Sequence, residues 1–208
     1  MNYSEKDHFI QQIRQIARKE GLNPVTLEKL KELPSVSNEL LNKYIKNNKE
    51  LARLILENEK KQMEQVLSIY EKDDDNAIDL LFRASRDIAD KFHSLSPVLT
   101  NQYKELYPEL YKEFFDYKAS YVFDKIFFNI QRGIWQGLYR DDVSTELVAR
   151  RYISRLIDLH NPDNFPPEEF SFSTVFIEMF ENFVKSIATE KGLQYWEERK
   201  TKSGITGV

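Results

Sequence analysis

Apolar residues recur along this chain at the spacing of an α-helix. The clearest case lies near the C-terminus, where apolar residues fall 0, 3, 4, 7, 8, 11 and 15 positions along one segment. Residues at these intervals share one face of a helix, so the segment predicts an amphipathic helix. The residues are Phe172, Val175, Phe176, Met179, Phe180, Phe183 and Ile187.

Three short helices are predicted in the first 50 residues. The first follows from the helical spacing of Phe9, Ile13 and Ile16, and Gly21 is a natural stop after it. Thr26 can cap a second helix that carries Leu27, Leu30 and Leu33 and ends before Pro34. Ser37 can cap a third, whose apolar face is formed by Leu40, Leu41, Tyr44 and Ile45.

A long helix is predicted to begin at Asn47 or Asn48. It is apolar at both ends and polar from Glu57 to Gln62, which is typical of a helix that bridges two cores. Further helices are predicted at 77–92, at 108–137, around Tyr152 and at 172–187. The 108–137 segment carries aromatic residues on nearly every face, so we expect it to be surrounded by other helices.

The sequence therefore predicts an all-α fold of about nine helices. We expect a three-helix head at residues 1–50, a larger helical body at 51–200 and a flexible tail at 201–208. Only 6 Gly and 7 Pro interrupt the 208 residues, which agrees with long helices. No alternating strand pattern and no internal repeat is present.

Composition excludes several classes of protein. The absence of Cys rules out disulfides, thiolate metal sites and a Cys nucleophile. The N-terminus lacks a signal-peptide pattern, and about 18 consecutive apolar residues occur nowhere, so we expect a cytoplasmic protein with no membrane partner.

Residues 1–49 hold nine basic and six acidic side chains, a net of +3, which leaves −7 for the rest given −4 overall. A mildly basic head is suited to a polyanion, although an ordinary solvated surface explains the same charge.

Motifs for catalysis or metal binding are missing. His8, His93 and His160 are far apart and form no i, i+4 pair, and the acidic run at 73–75 lies between predicted helices. No glycine-rich phosphate loop and no nucleophile elbow is present. We expect a protein that is not an enzyme and that carries no cofactor or metal. An all-helical enzyme using buried carboxylates is the alternative.

Residues 26–45 meet the requirements of a helix-turn-helix, namely two short helices, a tight turn and a small apolar core. The core would consist of Leu30, Leu33, Val36 and Leu40. The second helix would present Asn38, Glu39, Asn42, Lys43 and Lys46 outward. Asn can pair with adenine, and Lys can bind guanine or phosphate, so these side chains suit DNA.

At this segment the chain resembles the TetR family of ligand-responsive bacterial transcriptional regulators. The stretch GLNPVTLEKLKELPSVSNELLNKYIKNNKEL is similar to the family's N-terminal signature without a gap. The later stretch IQRGIWQGLYRDDVSTELVARRYISRLIDL is also similar to what members carry. Matches to the N-terminal signature fall at Gly21, Leu30, Val36, Ser37, Leu41, Glu50 and Leu51.

The chain departs from the family pattern within the same stretch. Ser35 replaces the usual glycine of the turn, and Asn42 stands where the family has a phosphate-binding Tyr. Asn38 and Asn48 stand at two frequent Lys positions, and Ile45 replaces a Phe. These changes remove phosphate contacts, which Lys43, Tyr44, Lys46 and Lys49 could replace.

The resemblance implies a homodimeric regulator that binds a double-stranded DNA operator, most simply a repressor released by a small apolar or aromatic ligand. The expected DNA-binding residues are Thr26, Ser37, Asn38, Asn42, Lys43, Tyr44, Lys46 and Lys49. Aromatic residues between 82 and 135 suggest a pocket lined by Phe82, Phe92, Tyr103, Tyr107, Tyr121, Phe127 and Trp135. The expected dimer interface is a four-helix contact formed by Ile153, Leu156, Phe172, Val175, Phe176, Met179, Phe180 and Phe183.

Two alternatives remain open at this stage. The helix-turn-helix can serve a helical ligand-binding or protein-interaction module that no longer binds DNA. The apolar stripes can fill the core of a single subunit instead of a dimer interface.

Overall fold

Helices account for nearly all of the regular structure in the computed structural model of this chain. The structure describes residues 4–20, 25–71, 75–92, 97–159, 163–166 and 168–203. Within these ranges the helices are α1 (Glu5–Lys19), α2 (Leu27–Lys31), α3 (Asn38–Tyr44), α4 (Asn48–Leu67), α5 (Ala77–Phe92), α6 (Pro97–Leu106), α7 (Pro108–Trp135), α8 (Thr145–Asp158), α9 (Phe172–Ile187) and α10 (Glu190–Ser203). A 3₁₀ turn at Ser68–Glu71 follows α4. The predicted all-α class is confirmed, with ten α-helices in the described ranges against about nine expected.

Side-chain caps explain where several helices begin. Ser4 and Asp7 exchange hydrogen bonds at the start of α1, where the Ser4 nitrogen donates to Asp7 Oδ2 at 3.1 Å and the Asp7 nitrogen to Ser4 Oγ at 3.2 Å. Ser144 caps α8 and Ser171 caps α9 in the same way, each accepting from a backbone N–H three residues on. Each cap satisfies a backbone donor that a helix start leaves without a partner.

The chain divides into two compact units. The first comprises Met1–Gln65 and Ser94–Lys118, and the second comprises Val66–His93 and Ala119–Val208. The head expected at residues 1–50 lies within the first unit. The unit extends beyond it because the first part of α4, together with Tyr103 and Phe114, belongs to the apolar cluster of the N-terminal helices.

The core of the first unit is an apolar cluster centred on α1 to α4. Fully buried members include Ile13, Leu30, Leu41 and Leu51. The predicted apolar faces of the first three helices therefore pack together. Gly21, expected to end the first helix, lies outside the described residues.

In the second unit, α9 packs on α5 and α8, and α10 packs on α5. Aromatic rings fill this core, with Phe82 stacked on Trp196 at 4.2 Å between centroids and Tyr152 against Phe183 at 4.7 Å. An antiparallel backbone bridge joins Tyr139 to Ala188. The apolar stripe of α9 thus contributes its most buried residues to the core of the second unit.

Three sequence-based expectations differ from the structure. The helix α6 lies in a stretch where no helix was predicted, and it begins at Pro97, whose missing N–H costs no helical hydrogen bond. The helix α7 is not surrounded on all faces, because Phe128 and Trp135 are 62% and 83% exposed. Residues 201–203, expected in the flexible tail, continue α10; residues 204–208 lie outside the described ranges, as do His93, His160 and the first two acidic residues of the run at 73–75.

Candidate nucleic-acid interface

Each of the two helices in the helix-turn-helix is capped at its start by one hydroxyl side chain. Thr26 Oγ1 accepts a hydrogen bond from the Lys29 nitrogen at 3.3 Å, and Ser37 Oγ accepts one from the Leu40 nitrogen at 3.3 Å. Both residues were expected to contact DNA. In the structure their oxygens serve as helix caps, so they position the surface that carries the other candidates.

The exposed side of α3 carries the candidate base-reading residues. Asn38, Asn42 and Lys43 are exposed, as is Lys46 just beyond the helix, whereas Leu41 is fully buried on the opposite face. Such a division places amide and ammonium groups on the solvent side of a helix that the core holds in place. These groups can reach base edges and phosphates in a major groove.

The turn between α2 and α3 tolerates the loss of the family's glycine. No non-glycine residue in the described ranges has a positive φ, and Ser35 is therefore in an ordinary backbone conformation. The turn is closed by backbone hydrogen bonds from Leu33 to Leu30 and from Val36 to Leu33, at 3.2 and 3.0 Å. Replacing glycine here introduces no left-handed strain.

Lys43 and Tyr44 are both engaged by a carboxylate from α1. Lys43 Nζ lies 3.0 Å from Glu5 Oε2, and the Tyr44 hydroxyl donates a hydrogen bond to the same oxygen. The hydrogen bond from Tyr44, and after it the one from Lys43, lowers the pKa of Glu5. The pKa of Lys43 is raised by its hydrogen bonds with Tyr44 and Glu5. The carboxylate is therefore ionised and the ammonium protonated at neutral pH.

Asn48 has a structural role at the position where the family frequently has Lys. Its Oδ1 accepts from the Leu27 nitrogen at 2.7 Å, and its Nδ2 donates to Glu28 Oε2 at 3.1 Å. It thereby ties the start of α4 to the start of α2. The cap of α4 is Asn47, whose Oδ1 accepts from the Glu50 nitrogen at 2.9 Å.

A buried polar network holds α1 against α4. Arg14 is only 7% exposed, and its Nη1 donates to Asn58 Oδ1 and to Gln62 Oε1, both at 3.0 Å. On the flank, Lys61 Nζ pairs with Asp7 Oδ1 at 2.6 Å. In the sequence Arg14 is only one of the basic residues of the head, because its hydrogen-bond partners lie 44 and 48 positions away.

The candidate pocket residues fall in both units. Tyr103 and Tyr107 belong to the first, with ring centroids 6.2 Å apart. In the second unit Phe82 is buried, Tyr121 and Phe127 are half-buried, and Trp135 is exposed. The side chain of Phe92 lies outside the described part of the chain.

Two buried polar side-chain atoms of the first unit have no hydrogen-bond partner among the described residues. They are the Tyr103 hydroxyl and Glu59 Oε2, on residues that are 2% and 4% exposed. The other Glu59 oxygen lies 3.9 Å from Lys118 Nζ. Burial raises the pKa of Tyr103, so its hydroxyl stays protonated. The burial of Glu59 could not be predicted from the sequence, because the residue lies in the polar middle of the long predicted helix.

The candidate dimer residues separate into two groups by burial. Phe176, Phe180 and Phe183 are buried in the core of the second unit, at 0%, 4% and 9% exposure. The others remain half-buried on α8 and α9, where a second subunit could still reach them; they are Ile153, Leu156, Phe172, Val175 and Met179. The more exposed stripe is therefore the part of the predicted interface open to a partner.

In the described part of the chain, no three His, Asp or Glu residues are grouped so that they could hold a metal ion. None of the helices in those same ranges combines the length and the apolar character needed to span a bilayer.

Solved structures share the fold described above. A protein assigned to the TetR family of transcriptional regulators from Rhodococcus sp. is 15% identical with a TM-score of 0.65, and the match covers 88% of this chain and 99% of that one. Escherichia coli NemR in its reduced form is 14% identical with a TM-score of 0.67, covering 88% and 96%. SmeT in complex with triclosan is 12% identical with a TM-score of 0.61, covering 90% and 93%.

The resemblance of the sequence to the TetR family is confirmed at the level of the fold. Nearly the whole length of each of these proteins is matched, so the likeness extends beyond the helix-turn-helix to the larger helical part. No protein-family model matches the sequence, and no curated protein matches it either.

Proposed function

We propose that the chain is a sequence-specific DNA-binding transcriptional regulator that acts in the cytoplasm as a homodimer. In this proposal it is a repressor, and a small apolar or aromatic ligand releases it from its operator. The observation that carries the proposal is the exposed face of α3, where Asn38, Asn42 and Lys43 project from a helix anchored by Ser37 and by buried Leu41. That face has the side chains and the support that major-groove binding requires.

Phosphate contacts in this proposal come from lysines close to the recognition helix. Lys46 and Lys49 are exposed between α3 and the first turn of α4. They supply positive charge near the positions where the family's Tyr and Lys are replaced by Asn42 and Asn48. Charge of this kind provides most of the affinity of a DNA-binding protein and makes that affinity depend on salt.

A homodimer supplies the second recognition helix that an operator with two half-sites requires. Support comes from the half-buried apolar residues on α8 and α9, among them Leu156, Val175 and Met179. Two helices from each subunit are enough for a four-helix interface. Light scattering coupled to gel filtration tests this part, and a mass near the 24.7 kDa of one chain contradicts it.

Ligand release is supported by two observations. SmeT, which shares the fold, has been solved in complex with triclosan. In this chain the Tyr103 hydroxyl is buried and has no partner among the residues that the structure describes, which leaves a hydrogen-bond donor among aromatic rings such as that of Tyr107. Ligand sites combine apolar walls with a few polar groups of this type. In the proposed mechanism, the ligand favours a conformation whose recognition helices no longer match the operator.

The second candidate function is a helical ligand-binding or protein-interaction module that no longer binds DNA. It is favoured by the Asn residues at positions 38, 42 and 48 and by the engagement of Lys43 and Tyr44 with Glu5. Under this alternative the helix-turn-helix is kept as a structural or protein-contact element.

The experiment that separates the two is selection of bound sequences from a random DNA pool, followed by a salt titration. A regulator enriches a palindrome and loses affinity steeply as salt rises, whereas equal binding of all sequences contradicts the proposal. Lys46→Ala and Lys49→Ala should each weaken binding and reduce the salt slope by about 1. Lys112→Ala is the matched control, since it removes an exposed lysine of α7 that pairs with Asp116.

A further inference from the structure

Glu5 occupies a fixed position at the start of α1. Ser4 precedes it as the helix cap, and the hydrogen bonds between Ser4 and Asp7 hold this first turn in place. The chain is therefore anchored on both sides of Glu5, and the helix sets the direction of its Cα–Cβ bond. From there the carboxylate reaches α3, 38 and 39 residues further along the sequence.

Two donors from the recognition helix converge on a single oxygen of that carboxylate. Lys43 Nζ approaches Glu5 Oε2 to 3.0 Å, and the Tyr44 hydroxyl donates to the same atom. The Lys43 ammonium also lies 4.8 Å from the centre of the Tyr44 ring, so the two donors are mutually positioned. An ammonium and a phenol directed at one anionic oxygen form a suitable site for a phosphate oxygen.

We propose that Glu5 acts as an internal substitute for a DNA phosphate, holding Lys43 and Tyr44 in the free protein and lowering its affinity for DNA. This inference rests on the proposed DNA-binding function. The Glu5 carboxylate and a DNA phosphate compete for the same two donors. When DNA is bound, the negative charge of Glu5 also repels the DNA backbone beside it. Glu5 thereby limits non-specific binding, because the charge contacts it opposes are those that every DNA sequence offers.

The contact between Lys43 and Glu5 is exposed, which allows a DNA phosphate to compete with the carboxylate. The side chains of Lys43 and Glu5 are 53% and 64% exposed, so a phosphate can reach the donors without unfolding any part of the head. Exposed ion pairs are also weak, and DNA can displace this one. The pKa of Glu5 is lowered by its two donors, so the carboxylate remains charged at neutral pH and the contact persists under ordinary conditions.

The test compares Glu5→Gln with the wild-type protein. Gln has the same length but no charge, so the carboxylate no longer competes with phosphate. We expect about two- to fivefold tighter binding to a fluorescently labelled mixed-sequence duplex at low salt, which corresponds to the usual strength of an exposed ion pair. We also expect the salt dependence between about 50 and 200 mM to steepen by about 0.9, the contribution of one additional phosphate contact.

Glu20→Gln is the matched control. It removes the same charge from an exposed residue immediately after α1, at the end opposite to Glu5. Since α1 has 15 residues, the two carboxylates are separated by about 22 Å along its axis. Glu20→Gln should change affinity much less than Glu5→Gln. Melting temperatures of both variants show whether a change in affinity merely follows a change in folding.

Three outcomes are distinguishable. Tighter binding and a steeper slope for Glu5→Gln alone support the proposal. If the wild-type protein binds DNA and Glu5→Gln binds equally or more weakly, or if Glu20→Gln has the same effect, the role of Glu5 is wrong and the DNA-binding function stands. If neither protein binds any duplex at low salt, the DNA-binding function is wrong and the role of Glu5 is wrong with it.

Discussion

Asn48 Oδ1 accepts a hydrogen bond from the backbone nitrogen of Leu27 at a distance of 2.7 Å. This contact joins the first residue of α4 to the first residue of α2, and Asn48 Nδ2 extends it to Glu28 Oε2 at 3.1 Å. The side chain that looked like a lost phosphate contact therefore fixes the helix-turn-helix to the connecting helix. The orientation of the proposed DNA-binding surface depends on it.

We predict that Asn48→Ala lowers the free energy of unfolding by about 0.5–2 kcal/mol, as the loss of a helix cap does. The reason is that the Leu27 nitrogen loses its side-chain acceptor. Glu28→Gln is the control, because it removes the charged partner of Asn48 Nδ2 and leaves Asn48 Oδ1 to accept from Leu27. Urea unfolding followed by circular dichroism measures both. An Ala variant as stable as the wild type contradicts the structural role.

Periodicity predicted most of the helices because it reports which face of a segment is apolar. It did not reveal α6 or α10. In α10 apolar residues are sparse, and the helix is fixed by distant partners: Tyr195 and Arg199 both contact Asp79, and Lys200 Nζ lies 2.8 Å from Glu181. Such contacts join residues far apart in sequence, so no local pattern contains them.

The same limit applies to the candidate site. The outward face of α3 could be predicted, since Asn38, Asn42 and Lys43 follow from the helical period. The contacts of Lys43 with Glu5 and of Asn48 with Leu27 could not, because they depend on how separate helices pack. The apolar periodicity of a helix is also the same whether its apolar face packs within one chain or against a second copy of the chain.

Tyr103→Phe is predicted to stabilise the protein. The Tyr103 hydroxyl is buried and finds no partner in the described part of the chain. A buried unsatisfied donor costs about 1–3 kcal/mol, so its removal should raise the free energy of unfolding by about 1 kcal/mol. Tyr117→Phe in the same unit should have the opposite effect, because its hydroxyl donates to Glu64 Oε1 at 2.6 Å. Urea titrations of the two variants make the comparison. A loss of stability in Tyr103→Phe would show that the hydroxyl has a partner.

Glu181 is predicted to contribute to stability in a pH-dependent way. Hydrogen bonds from Lys185 and Lys200 lower its pKa below the ordinary 4.5. A carboxylate whose pKa is lowered by folding stabilises the fold above its unfolded pKa and loses that effect as pH falls through the folded one. Glu181→Gln should therefore melt below the wild type at pH 7, and the gap should narrow towards about pH 3.

The control for this prediction is Glu197→Gln, which removes an exposed carboxylate of the neighbouring helix α10. Its melting temperature should follow that of the wild type across the same pH range more closely than Glu181→Gln does. If the gap between Glu181→Gln and the wild type is constant from pH 7 to pH 3, the two lysine contacts do not stabilise the ionised form.

Gly192 is predicted to be intolerant of a side chain, even though alanine is the better helix former. A Cβ at this position would lie 2.0 Å from the Leu138 carbonyl oxygen, which also accepts a hydrogen bond from the Thr189 nitrogen at 2.9 Å. Relieving that overlap requires backbone to move, so the cost should exceed the gain of about 1 kcal/mol in helix propensity. We expect Gly192→Ala to lower the free energy of unfolding by about 2 kcal/mol, within the range for overpacking.

Gly137→Ala is the comparison that separates steric overlap, expected at Gly192, from strain in the backbone conformation. Gly137 has a φ of 69°, and nothing lies within 4 Å of a Cβ built there, so its substitution brings only left-handed strain of about 1–2 kcal/mol. Both variants are measured by urea unfolding. If Gly192→Ala proves as stable as the wild type, the segment at Leu138 moves away from α10 without cost, and the tight contact between them does not hold the helix in place.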